Sequence, residues 1–336
     1  MTIAYIRPYE GELAIVQAAL AEHTIIDATC VWDIAEADRH AVEVLSVFVD
    51  YEVTADVLEM LPNLRLIATR SAGFDHIDMT AAQARGIVVT RVPHYGARTV
   101  AEYVFALLFA LSRNAYRAYA DMQRDAASVD VQSYEGFDLC GKTLGVVGTG
   151  AIGKSVCQIA RGLGMTVVAY DVYPDQAFAE AEGLTYASLE VVLVQADIVT
   201  LHVPSMPATR HLLNAERLAL MKPGSYLINT ARGEIVDTQA LVAALHSGHL
   251  AGAGLDVLEG EHELREEIDL LVAGGMPPEL WQTLVADHAL LDMPNVIVTP
   301  HIAFNTVEAK REITDITVGN IQACIAGAPR NIVTYA

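Results

Sequence analysis

A glycine triplet directly after an apolar run constrains the fold of this chain more than any other feature. Residues 144–153 read LGVVGTGAIG, so that Gly148, Gly150 and Gly153 have the G-x-G-x-x-G spacing. In such a turn the first glycine permits a tight bend, the second lets backbone approach a pyrophosphate, and the third lets the helix pack closely on the sheet. The helix start adds unpaired N–H groups and the positive end of a dipole. The triplet therefore predicts a dinucleotide-binding turn.

The segments on either side of the triplet support this interpretation. Their patterns predict a strand over Thr143–Val147, a helix over 152–163 and a second strand over Thr166–Tyr170. Asp171 follows the second strand, and a carboxylate there can accept hydrogen bonds from a ribose diol but repels a 2′-phosphate. Residues 172–174 contain no arginine. We therefore expect the cofactor to be NAD rather than NADP.

Length, charge and cysteine spacing bound the class of protein. The 336 residues are enough for about two domains. The chain has 21 Lys and Arg against 42 Asp and Glu, a net charge of −21, which argues against nucleic acid or an anionic membrane as a partner. The four cysteines are scattered, so neither a disulfide framework nor a metal site is expected. Because no apolar stretch has membrane-spanning length, we expect a soluble, cytoplasmic protein.

Strand-like and helix-like runs alternate along the chain, which is the pattern of parallel α/β domains. Before the glycine triplet, strands are predicted at 3–6, 44–49, 64–69 and 87–90, and a long apolar helix begins at Thr99. After it, strands are predicted at 197–202, Ser225–Asn229, 250–256 and 296–299, and a last helix at 305–326. The acidic stretch 262–292 is expected to be an inserted surface excursion. This order predicts a doubly wound parallel sheet.

Three further segments read NTARGEIVD at 229–237, GLDVLEGE at 254–261 and NVIVTPH at 295–301. They resemble the D-isomer-specific 2-hydroxyacid dehydrogenase family, and the similarity covers nearly the whole chain. VPHY at 92–95 and HIAF at 301–304 look most like the D-lactate dehydrogenase branch, in which a tyrosine and a phenylalanine shape the substrate pocket.

The resemblance implies a particular domain organisation. A Rossmann NAD domain would be inserted in a flavodoxin-like substrate domain, and each would be a doubly wound parallel sheet. Residues 1–98 and 301–336 would form the substrate domain, and residues 99–300 the NAD domain. The family also implies a homodimer built through the NAD domain.

Keto-acid reduction requires three kinds of group that the matching segments contain. Arg232 is a permanent planar fork of donors that can hold a carboxylate and polarise a carbonyl. His301 matches the family's general acid, since imidazole gains and loses a proton near neutral pH. Glu261 matches the carboxylate that would stabilise the imidazolium and fix its ring. Glu259 and Glu234 are close in sequence, and only the resemblance selects Glu261.

The resemblance also assigns binding residues. The backbone N–H groups of Ala72 and Gly73 would bind the substrate carboxylate, and Tyr95 and Phe304 would narrow the pocket for its side chain. The residues expected to bind the cofactor are Gly148, Gly150, Ala151, Ile152, Gly153, Asp171, Val203, Pro204, Thr209, Thr230, Ala231, Arg232 and Asp256, the last as an acceptor for the nicotinamide amide. The histidines expected to be surface or loop residues are His202, His211, His246 and His249.

These residues predict reversible, NAD-dependent reduction of a small 2-keto acid to the (R)-2-hydroxy acid, with pyruvate and D-lactate as the leading pair. Another substrate of the class, phenylpyruvate or a branched keto acid, stays open. So does an NAD-sensing corepressor of the same fold, because fold alone does not determine function. Steady NADH consumption with pyruvate would distinguish an enzyme from a binding protein.

Overall fold

The chain divides into two compact units in a computed structural model. The structure describes residues 1–93, 95–261, 264 and 277–333. Met1–Gly96 and Asn305–Ala336 form the first unit, and Ala97–Phe304 form the second.

Strands and helices alternate along most of the described chain. The strands are β1 (Thr2–Ile6), β2 (Thr24–Ala28), β3 (Val42–Val47), β4 (Leu66–Thr69), β5 (Val88–Thr90), β6 (Thr143–Val147), β7 (Thr166–Tyr170), β8 (Thr185–Tyr186), β9 (Ile198–Leu201), β10 (Ser225–Asn229), β11 (Leu250–Leu255) and β12 (Val296–Val298). The α-helices are α1 (Glu12–Ala19), α2 (Glu36–Arg39), α3 (Ala55–Glu59), α4 (Met79–Ala84), α5 (Ala97–Ser112), α6 (Ala115–Arg124), α7 (Ala151–Gly162), α8 (Gln176–Glu182), α9 (Leu189–Gln195), α10 (Ala215–Leu220), α11 (Thr238–His246), α12 (Pro278–Asp292) and α13 (Val307–Ile325).

The first unit is built on a parallel sheet with the strand order β2-β1-β3-β4-β5. Strands β1, β3 and β4 are almost wholly buried because helices cover both faces of a parallel sheet, which explains their continuous apolar sequences. The strand order reverses between β1 and β3. In open α/β sheets, ligands bind outside the carboxyl ends of the strands at such a reversal.

The second unit has a longer parallel sheet with the order β12-β11-β10-β9-β6-β7-β8. Its strand order reverses between β6 and β9. The glycine triplet follows β6, so it lies at the reversal, where a nucleotide is expected. This architecture confirms the predicted class of two doubly wound parallel-sheet domains.

The two strands that the sequence patterns missed, β2 and β8, both lie at sheet edges. An edge strand is covered less than a central one, and the residues of β2 are exposed or half-buried throughout. A sequence such as TIIDA therefore has neither the continuous apolar run of a buried strand nor strict alternation.

The prediction that residues 262–292 form a surface excursion is wrong for the part from 278 onward. Residues 278–292 form α12, which buries Leu284 and Leu290 in the second unit. Its buried positions Leu284, Asp287 and Leu290 recur every three residues and so share one side of the helix, whereas the apolar side chains of Trp281, Val285 and Leu291 are exposed. Residues 262, 263 and 265–276 lie outside the described part of the chain.

The longest apolar helix predicted from sequence is α5. It buries Val100, Val104 and Leu108 on one face, four residues apart, as an amphipathic helix does. Within the described residues, no helix is both long and apolar enough to cross a membrane.

Candidate active site

The glycine turn, residues 148–153, has the geometry that its spacing predicts. Gly148 has a φ of +94°, and a Cβ added there would lie 2.8 Å from the carbonyl carbon and oxygen of His202. A Cβ at Gly153 would collide with the carbonyl oxygen of Gly148. A Cβ at Gly150 would meet nothing within 4 Å, so that backbone faces open space. The first and third glycines are required by packing. The open space beside the backbone of Gly150 forms a cradle that a ligand could occupy.

Asp171 is fixed beside this turn at the end of β7. Its carboxylate accepts the N–H of Thr149 at 2.6 Å, the Thr149 hydroxyl at 3.0 Å and the N–H of Tyr173 at 2.9 Å. The hydroxyl of Tyr186 lies 2.8 Å from that of Thr149 and completes the chain of polar contacts. Since a carboxylate has about four acceptor sites, Asp171 retains capacity for a ribose hydroxyl.

Other predicted cofactor residues line the same end of the sheet. Thr230 follows β10, and its buried hydroxyl has no hydrogen-bond partner among the described residues, which fits a group that a ligand would satisfy. Asn229 shapes this loop by accepting from the N–H of Ala231 at 3.0 Å and donating to the carbonyl of Arg232 at 2.8 Å. Thr209 donates instead to the carbonyl of Pro204 at 2.6 Å, so its hydroxyl is used within its own loop.

His301 and Glu261 are brought together although they are far apart in sequence. Nδ1 of His301 lies 3.3 Å from Oε1 of Glu261, and both side chains are about three-quarters buried. His301 has a φ of +56°, a left-handed conformation that is uncommon for a residue with a side chain. Such conformations persist only where the surrounding contacts impose them.

Asp256 supplies contacts that impose this conformation. Its carboxylate accepts the Thr299 hydroxyl at 2.6 Å and the N–H groups of Ile302 and Ala303 at 2.9 and 2.8 Å, and its backbone carbonyl accepts the N–H of His301. Burial raises the pKa of the Asp256 carboxyl, opposed by these hydrogen bonds. The sequence assigned Asp256 only to the nicotinamide amide. The structure gives it the additional role of holding the turn that carries His301.

Arg232 lies at the end of β10, and its segment packs on the one that carries Glu261. Its Nη1 donates to the carbonyl of Ala231 at 2.8 Å. A Cβ added at Gly233 would collide with the backbone of Leu258 and Glu259, so glycine is required for the two segments to meet. The three candidate residues thus come from the ends of neighbouring strands, β10, β11 and β12.

The alternative carboxylates have other partners. Glu259 lies 2.6 Å from Nε2 of His211 and 3.2 Å from Nη2 of Arg210. Glu234 accepts the hydroxyl of Ser205 at 2.6 Å. These contacts support the choice of Glu261 as the carboxylate beside His301.

Two of the histidines that were expected to be surface or loop residues lie outside the helices and strands, as predicted, and also make specific contacts. His211 is tied to Glu259, and its N–H donates to the carbonyl of Glu234. His202 packs behind the glycine turn, and burial lowers its pKa to about 3, so that it is neutral at physiological pH. Its Nε2 lies 2.9 Å from the hydroxyl of Thr200. The pattern gave no sign of either role, because each depends on contacts made after folding.

In the first unit, Ala72 and Gly73 lie in a turn after β4. This serine turn, residues 70–76, is held by its own side chains. The hydroxyl of Ser71 donates to the carbonyl of Gly73 at 2.6 Å, and Thr69 contacts both Ser71 at 2.6 Å and Nε2 of His76 at 3.1 Å.

The first residue of the serine turn is a fully buried arginine. Arg70 donates to the carbonyls of Ile6 and Arg7 at 2.6 and 2.9 Å, and its Nη1 lies 3.8 Å from the carboxylate of Glu12. Glu12 also accepts the hydroxyl of Tyr5 at 2.6 Å. These contacts attach the start of the turn to the end of β1.

Tyr9 and Phe48 form an aromatic pair that the sequence analysis did not single out. They follow β1 and β3, the two strands at which the order of the first sheet reverses, and their rings meet edge to face with centroids 5.5 Å apart. Burial raises the pKa of the Tyr9 phenol. The strand order would have singled them out, but it is not visible in sequence. Of the predicted pocket residues, Tyr95 belongs to the first unit and Phe304 to the second.

Comparison with known proteins places the chain in a family. Residues 105–303 match the model of the D-isomer specific 2-hydroxyacid dehydrogenase, NAD binding domain. The chain is 40% identical over 284 residues to a glycerate dehydrogenase of Methylorubrum extorquens, covering 83% of this chain and 82% of that protein. It is 36% identical over 284 residues to a D-lactate dehydrogenase of Escherichia coli, with the same coverage of 83% and 82%.

A solved structure extends the similarity to the whole chain. A D-lactate dehydrogenase from Aquifex aeolicus, complexed with NAD and lactic acid, superposes with a TM-score of 0.84 at 36% identity, covering 98% of this chain and 96% of that one. The cradle at Gly150 and the orphan hydroxyl of Thr230 agree with a bound dinucleotide. The chain therefore belongs to the D-isomer specific 2-hydroxyacid dehydrogenase family and is an NAD-dependent enzyme.

Proposed function

We propose that this enzyme reduces pyruvate to D-lactate with NADH, and that it does so reversibly. The contact of 3.3 Å between His301 and Glu261 carries the proposal, because it pairs a titratable donor with a carboxylate at the ends of strands in the cofactor-binding unit.

Each candidate residue then has one task. Bound NADH supplies a hydride for the carbonyl carbon. His301 donates the matching proton to the carbonyl oxygen from Nε2, while Glu261 holds Nδ1 and stabilises the charged ring. Arg232 binds the carboxylate and polarises the carbonyl, so it stabilises charge where it develops. The oxidation of D-lactate uses the same groups in reverse, with His301 accepting the proton.

The glycine turn and Asp171 hold the cofactor in this proposal. The backbone of Gly150, Ala151 and Ile152 receives the pyrophosphate, and Asp171 accepts the ribose hydroxyls. Val203, Pro204, Thr209, Thr230, Ala231 and Asp256 line the remainder. In the first unit, Ala72 and Gly73 bind the substrate carboxylate through backbone N–H groups.

Aromatic residues are candidates for contact with the side chain of the substrate. We propose Tyr9, Phe48 and Tyr95 of the first unit as residues that contact it, with Phe304 of the second unit as a further candidate. The edge-to-face pair of Tyr9 and Phe48 lies at the strand reversal of its sheet, which supports a ligand contact there. The relatives named above include a glycerate dehydrogenase as well as a D-lactate dehydrogenase, so the pocket must be tested with several acids.

A panel of keto acids tests the proposal. Wild-type enzyme is supplied with NADH and, separately, pyruvate, 2-ketobutyrate, 2-ketoisocaproate, phenylpyruvate, hydroxypyruvate and glyoxylate, and kcat/KM is measured for each. We expect pyruvate to rank first. Preference for phenylpyruvate or 2-ketoisocaproate would support the alternative of a bulkier substrate. Tight NADH binding with no turnover of any acid would support an NAD-sensing binding protein and overturn the enzymatic proposal.

We further propose that the enzyme is a homodimer. On α6, the exposed side chains include Tyr116, Tyr119 and Met122, which are 60, 66 and 51% accessible, and Phe109 of α5 is exposed as well. Aromatic and methionine side chains are enriched at protein interfaces. Sedimentation should give twice the mass of the chain, and Tyr119→Lys should shift it toward the monomer. A wild-type monomer would refute the proposal.

We also propose a cytoplasmic location. The described cysteines are all free, which suits a reducing compartment. Cell fractionation tests this, and recovery of the enzyme outside the cytoplasm would contradict it.

A further inference from the structure

A fully buried aspartate lies on the core-facing side of α12. Asp287 is 0% exposed and shares this side with Leu284 and Leu290 at helical spacing. Burying a carboxylate among apolar side chains is unfavourable unless hydrogen bonds compensate for its lost hydration. The position therefore requires a partner that makes an acid preferable to a leucine.

One such partner is the backbone beside Glu261. Oδ2 of Asp287 accepts the N–H of Gly260 at 2.9 Å, a buried hydrogen bond between residues 27 positions apart. A Cβ added at Gly260 would lie 2.7 Å from the same oxygen and 3.4 Å from Leu284 and Thr283. Any other residue at position 260 would push against the carboxylate. The helix α12 therefore contacts the chain at Gly260, directly before Glu261.

The residues before Gly260 are fixed from the other side. Glu259 is bound by His211 and Arg210, and the backbone of Leu258 packs on Gly233. After it, the N–H of Leu264 donates to the carbonyl of Gly260 at 2.8 Å, and Glu261 is the residue next to Gly260 in the chain. Gly260 is consequently the point from which the direction of the Glu261 side chain is set.

We propose that Asp287 is a positioning residue for Glu261, and so for the pairing of Glu261 with His301. The inference rests on the proposed function, in which Glu261 holds His301. Asp287 fixes the Gly260 N–H, Glu261 is the next residue in the chain, and the Glu261 carboxylate is thereby held 3.3 Å from the imidazole. A purely structural acid would stabilise the fold without any specific coupling to Glu261.

Five variants separate these roles. Asp287→Leu removes the acceptor, and Asp287→Asn keeps an acceptor oxygen of the same size. Glu261→Gln removes the charge beside His301, and the double variant Glu261→Gln/Asp287→Leu tests coupling. Asp292→Leu is the matched control, because Asp292 is an exposed acid on the same helix. For each variant we would measure kcat with the keto acid that wild type reduces fastest, the Kd for NADH and the Tm.

We expect Asp287→Leu to lower kcat roughly 10- to 100-fold, the scale of a small misplacement of a catalytic group. The Kd for NADH should stay within about twofold and Asp287→Asn should recover most of kcat, because a carbonyl oxygen still accepts the Gly260 N–H. The double variant should have the kcat of Glu261→Gln alone, since residues that act as a unit are not additive. Asp292→Leu should match wild type.

Two results would overturn the inference and leave the proposed function intact. In one, the double variant loses kcat by the product of the two single-variant factors. In the other, Asp287→Leu has the kcat of wild type. If Asp287→Leu does not fold, Gly260→Ala displaces the same contact from the other side and is compared with and without Glu261→Gln in the same way. If Glu261→Gln alone has the kcat of wild type, the role of Glu261 fails, and the role of Asp287 fails with it.

Discussion

Two turns in this molecule are proposed to bind anionic groups through backbone N–H groups, yet they are fixed in different ways. The glycine turn keeps its shape by close packing, since Gly148 and Gly153 leave no room for a Cβ. The serine turn keeps its shape by side-chain hydrogen bonds among Thr69, Ser71 and His76. Packing demands one residue type at fixed spacing, whereas hydrogen bonding can be met by several residue types.

This difference explains why one turn was recognisable from residues alone and the other only through resemblance. It also predicts which affinity a variant in each turn changes. Loss of a group beside the glycine turn should weaken binding of NADH, and loss of a hydrogen bond in the serine turn should weaken binding of the keto acid. Variants at the reacting centre should spare the affinity for NADH and have the largest effects on turnover.

Replacement of His301 should have the largest effect. His301→Ala leaves both turns intact but removes the proton donor, and general acid catalysis contributes roughly 100- to 10,000-fold to rate. We expect kcat to fall by that factor in both directions while the Kd for NADH stays near wild type. His246→Ala, at an exposed histidine, is the control. A His301→Ala enzyme with near wild-type kcat would refute the assignment.

Replacement of Arg232 should have the second-largest effect. Arg232→Lys keeps the charge and loses the planar fork, which should cost about 2–4 kcal/mol in kcat/KM for the keto acid. Arg124→Lys, at an exposed arginine, serves as the control. A Lys variant within about threefold of wild type, or under about 1 kcal/mol, would exclude a bidentate role.

Asp171 tests the glycine turn. Asp171→Ala removes an acceptor for the ribose and releases the N–H of Thr149, so we expect the Kd for NADH to rise roughly tenfold. The preference for NADH over NADPH should narrow, because the charge that repels a 2′-phosphate is gone. Fluorescence titration measures both, with Asp138→Ala at an exposed acid as the control. Equal use of NADPH by wild type would contradict this reading of Asp171.

Ser71 tests the serine turn and should have the smallest effect. Ser71→Ala removes the hydrogen bond to Gly73, worth about 1 kcal/mol, so we expect KM for the keto acid to rise about fivefold. The Kd for NADH should not change. Ser247→Ala, at an exposed serine, is the control. A change in NADH affinity without a change in KM would reverse the proposed division between the turns.

The fold was predictable where burial leaves a simple pattern. The bounds predicted for β6, β7 and β10 agree with the structure, because these central strands are apolar runs buried on both faces. The edge strands β2 and β8 were not predicted, since partial exposure removes that pattern. The burial of α12 was missed because acidic residues nearby suggested a solvated surface.

The site residues that lie in family motifs could be predicted from the sequence. The segments ending at Glu261 and His301 came from resemblance, and the structure brings these two side chains together. The contacts of Asp256 and Asp287 with backbone N–H groups could not be predicted. Nearly every residue has a backbone N–H, so the residue type of a distant donor does not identify it. Tyr9 and Phe48 were missed for a related reason, since only the strand order makes them neighbours.

The chirality of the product tests whether the enzyme reduces pyruvate to D-lactate with NADH. Wild-type enzyme is incubated with NADH and pyruvate, and the hydroxy acid is resolved by chiral chromatography while NADH consumption is followed. We expect D-lactate alone, with one molecule formed for each NADH oxidised. Formation of L-lactate, or loss of NADH without a matching amount of hydroxy acid, would contradict it.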